Sequence, residues 1–299
     1  MPSAPTQRSS AVQPPLLQAD NLTPFPWLVH GFSTRCGGVS QAYGGNALNL
    51  GMTPQDTRDS VEQNRALFQQ AMGAVDGDGR AWPLVIVRQI HSGVVHRVQE
   101  RPRQVLAGDG LITDRPALLL TVRTADCLPI LLVDVKQRAV GVLHAGWRGT
   151  LARIAEKGVG EMRLRFGSDP ADLRAAIGPG IHACCYEVGE EVGEKFAAQF
   201  AYSDALFRDV FDSDPVRERY PLLFLNLRAP GHGEPPRTLH LDLLEANRRQ
   251  LLAAGVAAAH IWASDLCTAC HTGRFFSHRA EKGVTGRMMG AVGIREIED

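Results

Sequence analysis

The sequence predicts an α+β fold with mixed β-sheets, on three observations. Short apolar runs rich in Val, Ile and Leu recur along the 299 residues. They alternate with helical patterns, as at 57–73 and 242–254. Several neighbouring runs are joined by tight turn signals, which favours hairpins over the long crossovers of a doubly wound parallel sheet.

The first 18 residues, rich in Pro, Ser, Ala and Gln, are expected to form a disordered tail, leaving residues 19–299 as a single catalytic domain. Leu28–Arg35 is a strand running into the turn Cys36-Gly37-Gly38, and 46–51 is irregular. Residues 57–73 form a helix marked by Val61, Ala66, Leu67 and Met72, with Gly73 as its C-cap. Leu84–His91 and Val94–Val98 are two strands, with Ser92-Gly93 between them as a hairpin turn. Ala117–Val122 is a buried strand. Residues 150–166 read as one helix, and 175–177 as a short strand ending at Gly178-Pro-Gly180. Val188, Val192, Phe196 and Phe200 recur every four residues behind Glu187, Glu190 and Glu191, which suit a helix N-terminus. Residues 202–237 are an irregular excursion. Asp242–Ala254 is a helix closed by Gly255, and 261–263, 275–278 and 287–294 are closing strands.

The centre of the chain is 121–149. Its runs Leu128–Val135 and Ala139–Leu143 flank Lys136-Gln137. A two-residue turn there pairs Val135 with Arg138 and sets His144 opposite Pro129. Cys127 then lies two residues further along on the same face, because side chains alternate with period 2. A thiol and an imidazole converge at one end of a hairpin, and such ligands suit Zn²⁺. His91 also ends a strand. His91, Cys127 and His144 together make a His₂Cys set with one open position, the pattern of a catalytic zinc site. The same residues serve an alternative chemistry, with Cys127 as a thiolate nucleophile and His144 or His91 as its base. Asp126, beside Cys127, is a candidate to move protons or orient a His. Arg35 and Arg148 each sit on a Gly-rich turn, where a guanidinium fork and exposed N–H groups suit phosphate or carboxylate. Cys267-Thr-Ala-Cys270 is a CxxC without a second half, so it reads as structural or incidental. Gly108-Asp-Gly110 is too short for a nucleotide fingerprint.

Composition excludes several classes. Charges balance at 32 against 32, which gives no reason to expect nucleic acid or an anionic membrane as partner. No apolar run approaches the ~20 residues of a membrane span. The N-terminus has no apolar signal core, so a cytoplasmic location is expected. Six cysteines in a chain of this length are no disulfide framework.

Ten stretches together resemble a known family: FSTRCGGVS (32–40), LNLG (48–51), RQIHSGVV (88–95), GDGLIT (108–113), TADCLPILLVD (124–134), VGVLHAGWRGT (141–150), AAIGPGIHACCYEVGEEV (175–192), LDLLEANRRQL (241–251), CTACHTGRFFSHR (267–279) and TGRMMGAVGI (285–294). The family is known as laccase-domain or polyphenol-oxidase-like, as purine nucleoside phosphorylase with adenosine deaminase activity, and in some bacteria as peptidoglycan editing factor. The resemblance implies a layered sandwich of sheets and helices in one domain. It implies one zinc on His91, Cys127 and His144, with copper the lesser alternative. Its implied activity is phosphorolysis of adenosine, inosine, guanosine and methylthioadenosine, plus deamination of adenosine. Arg35, Arg148 and Asn49 are the implied substrate- and phosphate-facing residues. The chain departs at His278, where members often carry Tyr. Alternatives from other classes are a Cys-dependent hydrolase or editing factor in peptidoglycan synthesis, and a copper polyphenol oxidase. The last needs many His, typically in H-x-H pairs, and none of the ten His here forms one. Oligomeric state, monomer or homodimer, stays open.

Overall fold

Strand β8 (Leu128–Asp134) is buried at every position, and its side chains part by alternation into two cores. Leu128, Ile130 and Leu132 point into one core, while Leu131 and Val133 point into the other. Each such side chain contributes about 1.5–3 kcal/mol by leaving water. A strand apolar on both faces demands a cover on each side, and the rest of the chain supplies it. The structure, a computed structural model, describes residues 14–211, 219 and 237–296.

A six-stranded sheet carries β8 at its centre. Its order is β14 (Ile261–Ala263), β10 (Leu173–Ile177), β8, β9 (Ala139–Ala145), β6 (Gly110–Thr113) and β5 (Val95–Arg97). Pairing is antiparallel except at β10–β14 and β5–β6, which are parallel. A five-stranded sheet packs against it, in the order β1 (Leu16–Leu17), β2 (Leu28–Ser33), β15 (Met288–Ile294), β7 (Leu119–Thr124) and β4 (Leu84–Ile86). Phe32, Leu120, Val122 and Val292 from this sheet meet Leu131, Val133, Val140 and Val142 from the other. On the outer face of the five-stranded sheet lies α1 (Arg58–Met72), whose Phe68 and Met72 pack on Val29, Leu119 and Met289. Helices α3 (Ile154–Phe166) and α5 (Leu243–Ala253) cover the outer face of the six-stranded sheet. The result is the expected α+β architecture: helix, sheet, sheet, helices in four layers. A small sheet of β11 (Glu187–Val188), β13 (Arg237–Leu241) and β12 (Phe207–Phe211) joins α4 (Glu190–Gln199) at one edge. Strand β3 (Cys36–Ser40) bridges to Ala47 from both its ends. Among the described residues no helix is long and apolar enough to cross a membrane.

Local chemistry explains most boundaries. The Thr57 side chain accepts from Ser60 N to start α1, and Gly73, at φ 65°, ends it in the left-handed region. The β8–β9 register has the expected sum, with Pro129 opposite His144. The last paired residues are Asp134 and Ala139. Residues 135–138 form the turn, because Asp134 Oδ1 accepts from Lys136 N and Gln137 N.

Four expectations are corrected. The stretch around 150–166 is two helices, α2 (Trp147–Leu151) and α3, because Arg153 adopts φ 60° and ends the first. The runs at 84–98 form no hairpin. β4 pairs with β7 in one sheet and β5 with β6 in the other, so the chain crosses between sheets at Ser92-Gly93. Residues 275–278 are not a strand, since Phe275 and Phe276 turn inward to fill a small core with Ala47 and Met288. Leu16 and Leu17, expected in the tail, instead pair with β2, and the rest of that expectation, residues 1–13, lies outside the described residues. Of the expected excursion at 202–237, residues 212–218 and 220–236 also lie outside them.

His30 ties the N-terminal segment to β2. It is buried, and its Nε2 accepts from Ala19 N at 3.2 Å, which requires a neutral nitrogen there. Burial holds its pKa below the ordinary imidazole value of about 6.5. Below that value the unfolded chain binds a proton that the folded chain refuses, so stability is lost as pH falls. Urea unfolding of the wild type should therefore show a falling midpoint from pH 7.5 to pH 5. His30→Gln, which keeps an acceptor without a titrating ring, should show a smaller fall. Equal falls in both would remove His30 from the account.

Candidate metal centre and active site

Asp109 is fully buried and sits just before β6, and its carboxylate organises the site. Oδ2 accepts from Ser92 N at 2.6 Å and Ser92 Oγ at 2.8 Å, and from Ile90 N at 3.2 Å. Oδ1 accepts from His91 N at 3.0 Å and from His144 Nδ1–H at 2.8 Å. Burial alone would raise its pKa. The hydrogen bonds from His144 and Ser92 outweigh that and bring it down to about 2. One carboxylate thus gathers the 90–92 loop and the end of β9, and it explains why that loop is no tight hairpin.

The register delivers the rest. His144 is the penultimate residue of β9 and Cys127 immediately precedes β8. Ligand atoms of His91, Cys127 and His144 lie within 4.8 Å of one another. The His91 and His144 rings stand edge to face at 5.0 Å between centroids. His91 and Asp126 both hold positive φ, at 56° and 91°, so the backbone is strained on either side of the ligands. Gly146 of HAGWRG is required by close approach: a Cβ there would lie 2.8 Å from Cys127 Sγ and 3.2 Å from His91 Cδ2. Burial opposes a Cys127 thiolate, but His144 and His91 hold its pKa below the ordinary thiol range. Burial likewise opposes charge on His144, and Cys127 and Asp109 raise its pKa. The donor set, two imidazoles and one thiolate with His144 Nδ1 already engaged, fits zinc with one position left open.

These three residues open into a cavity of about 410 Å³. Arg123, Arg287 and His278 share its wall. Arg123 Nε is buried without a hydrogen-bond partner. Burial lowers the Arg123 pKa, and so does the neighbouring charge of Arg287. Arg65 behind them is depressed by burial and then by Arg123. Among the described residues Arg65, Arg123 and Arg287 form no ion pair, and Glu62 offsets only part of the charge at Arg65, so positive charge gathers here.

The structure brings together His91, Cys127 and His144 and leaves the other expected site residues elsewhere. Arg35 gives its guanidinium to Glu281 and to the carbonyls of Thr272, Phe275 and Tyr43, and does not line the cavity. Arg148 stacks on Trp147, 4.2 Å from the ring centroid, and lines a separate depression with Tyr186 and Arg279. Asn49 is fully buried; its amide donates to Asp56 and its Oδ1 accepts from Arg287 N, so it holds the backbone of a cavity residue. Asp126 accepts from Thr268 Oγ1 and Arg279 N and is absent from the cavity wall. Sequence reasoning missed Asp109, Arg123 and Arg287. The available signal was a charged residue ending an otherwise buried strand, as in Thr-Val-Arg123-Thr, and the Asp of Gly108-Asp-Gly110.

Buried carboxylates behind a metal-bound His typically govern affinity 10–100-fold. Asp109→Asn should weaken binding of a divalent metal at His91, Cys127 and His144 by about that factor in a chelator competition, with the fold retained by circular dichroism. Unchanged affinity would show that Asp109 does not tune the centre.

Comparison with known proteins places the chain. Residues 29–295 match the family described as multi-copper polyphenol oxidoreductase laccase. The chain is 38% identical over 291 residues to the purine nucleoside phosphorylase of Deinococcus radiodurans, covering 95% of this chain and 94% of that protein. It is 37% identical over 261 residues to adenosine deaminase RL5 from an unknown prokaryotic organism, covering 84% and 88%. The crystal structure of YlmD from Geobacillus stearothermophilus superposes with a TM-score of 0.73 at 34% identity, covering 91% of this chain and 94% of that one. The chain therefore belongs to this laccase-like family, whose named members include purine nucleoside phosphorylases and an adenosine deaminase.

Proposed function

We propose that the protein is a zinc-dependent purine nucleoside phosphorylase acting on adenosine, inosine, guanosine and methylthioadenosine, with adenosine deaminase activity. One observation carries this reading: a His₂Cys centre shares a single cavity of nucleoside size with two arginines that form no ion pair among the described residues and donate only to backbone carbonyls. The names of the relatives agree with it.

His91, Cys127 and His144 would hold the zinc, which would supply Lewis-acid chemistry there. Arg123 and Arg287 take phosphate and aim it at the ribose, replacing Arg35 and Arg148 in that role. A phosphate oxygen forms a bond to C1′ while the C1′–N9 bond breaks. The bonding pair leaves with the purine, which takes up a proton, giving free base and ribose 1-phosphate. His278 is the remaining titratable side chain on the wall and replaces Asp126 as the proton carrier. The number of sites argues against multicopper oxidase chemistry, because among the described residues one His₂Cys group and one group of four cysteines meet, and no His-rich cluster joins them.

A second reading has its own observation. Cys127, His144 and Asp109 lie in the order of a nucleophile–base–carboxylate triad, with Asp109 on Nδ1 of the base. That suits a cysteine hydrolase of amides. It leaves His91 without a purpose, since a triad needs no second imidazole on the sulfur. A covalent substrate adduct trapped on Cys127 in protein free of metal would favour it.

Zinc-loaded protein should release free base from nucleoside only when phosphate is present, as read by chromatography. A charged hydrogen bond is worth about 1.5–3 kcal/mol. Arg287→Ala and Arg123→Ala should accordingly raise the KM for phosphate by about 10–100-fold. No base release from any of the four nucleosides would overturn the assignment.

A further inference from the structure

Outside the catalytic centre, four thiols meet on the surface of the molecule. Cys184 and Cys185 come from the turn after Gly178-Pro-Gly180, and Cys267 and Cys270 come from the loop after β14. Their sulfur atoms all lie within 4.8 Å of one another. Cys270 Sγ is 3.3 Å from Cys185 Sγ and 3.5 Å from Cys184 Sγ. We propose that Cys184, Cys185, Cys267 and Cys270 hold a second zinc ion in a closed, four-thiolate structural site.

Three arguments carry this. The first is the donor set. Cys267-Thr-Ala-Cys270 has the C-x₂-C spacing of a zinc half-site, and it lacks a second half only in the linear sequence. The fold supplies that half as Cys184-Cys185, some 85 residues away. The second is the arrangement of the sulfurs. Zinc–sulfur bonds of ~2.3 Å in a tetrahedron put sulfurs roughly 3.8 Å apart, a little beyond the 3.3 and 3.5 Å contacts of Cys270 and inside the 4.8 Å that encloses all four sulfurs. Two disulfides fit less well. Adjacent cysteines rarely bridge each other, and Cys270 approaches both members of the adjacent pair almost equally. The third is the backbone around Cys267. The N–H groups of His182, Ala269 and Cys270 converge on its sulfur, an arrangement that stabilises a metal-bound thiolate. With all four positions taken by protein, the site has no room for substrate, and its role is structural.

What it would hold together is specific. The two loops already exchange backbone hydrogen bonds, with Thr268 N donating to Gly180 O at 2.9 Å. Both also grip the residue beside the catalytic thiol. Thr268 Oγ1 donates to Asp126 Oδ1 at 2.7 Å, and Ile181 N donates to Asp126 O at 2.7 Å. A metal clamp between these loops therefore braces the strained turn that presents Cys127. The inference is independent of which reaction the cavity performs.

The test counts metal in the full-length protein. Purified wild type should carry two zinc ions per chain, Cys270→Ser one, and Cys127→Ala one. Zinc X-ray absorption of Cys127→Ala should show a sulfur-only coordination shell. If Cys270→Ser fails to fold, the Cys127→Ala protein still decides the matter. A Cys127→Ala protein without zinc, zinc there with nitrogen in its shell, or disulfides among the four cysteines in peptide maps of native wild type would overturn the proposal.

Discussion

The buried carboxylate of Asp109 is the constraint on which the site depends. An ionised group with no solvent contact is tolerable only when its oxygens are filled with donors. Here the donors are Ser92, the backbone of Ile90 and His91, and His144. Satisfying the charge and assembling the ligands are therefore one event. The carboxylate directs His144 Nδ1–H away from the cavity, which frees the other ring nitrogen for metal. It also pulls His91 into a left-handed backbone conformation that a strand would not adopt.

The two-sheet core carries this arrangement. β8 and β9 are buried on both faces, so a slip of one residue would turn every apolar side chain to the wrong core. Register is thereby fixed, and with it the placement of Cys127 and His144. The parity that sends Leu131, Val133, Val140 and Val142 between the sheets sends both ligands toward the same side. β7 then contributes Arg123 and the segment before β15 contributes Arg287, so the arginine wall of the cavity comes from the side of the opposing sheet. The His91, Cys127 and His144 cluster and the two arginines line one cavity because two sheets pack face to face.

The α+β class with mixed sheets and the hairpin register were legible in the sequence, while the layering was implied by the family resemblance. The register keeps Pro129 opposite His144 and brings Cys127 and His144 together, although the expected two-residue turn is a four-residue one and Val135 does not pair with Arg138. What escaped depends on contacts distant in sequence. The crossing at Ser92-Gly93 resembles a hairpin turn until Asp109 is seen to occupy its N–H groups. Arg35 sits on a Gly-rich turn that suits an anion, yet its donors are spent on Glu281 and carbonyls more than 200 residues away. Arg123 looks like an ordinary strand residue until its Nε is found buried and alone. The CxxC at 267–270 lacked a partner because that partner is an adjacent pair in another loop, a spacing that no linear pattern encodes.

The central claim is that one cavity holds a metal on His91, Cys127 and His144 and an anion on Arg123 and Arg287. Anomalous diffraction at the zinc edge from crystals soaked in phosphate tests it most directly. The account predicts a zinc peak bonded to His91, Cys127 and His144, with phosphate between the two arginines of the same cavity. Copper at that position, an absent peak, or phosphate bound at Arg148 instead would contradict it.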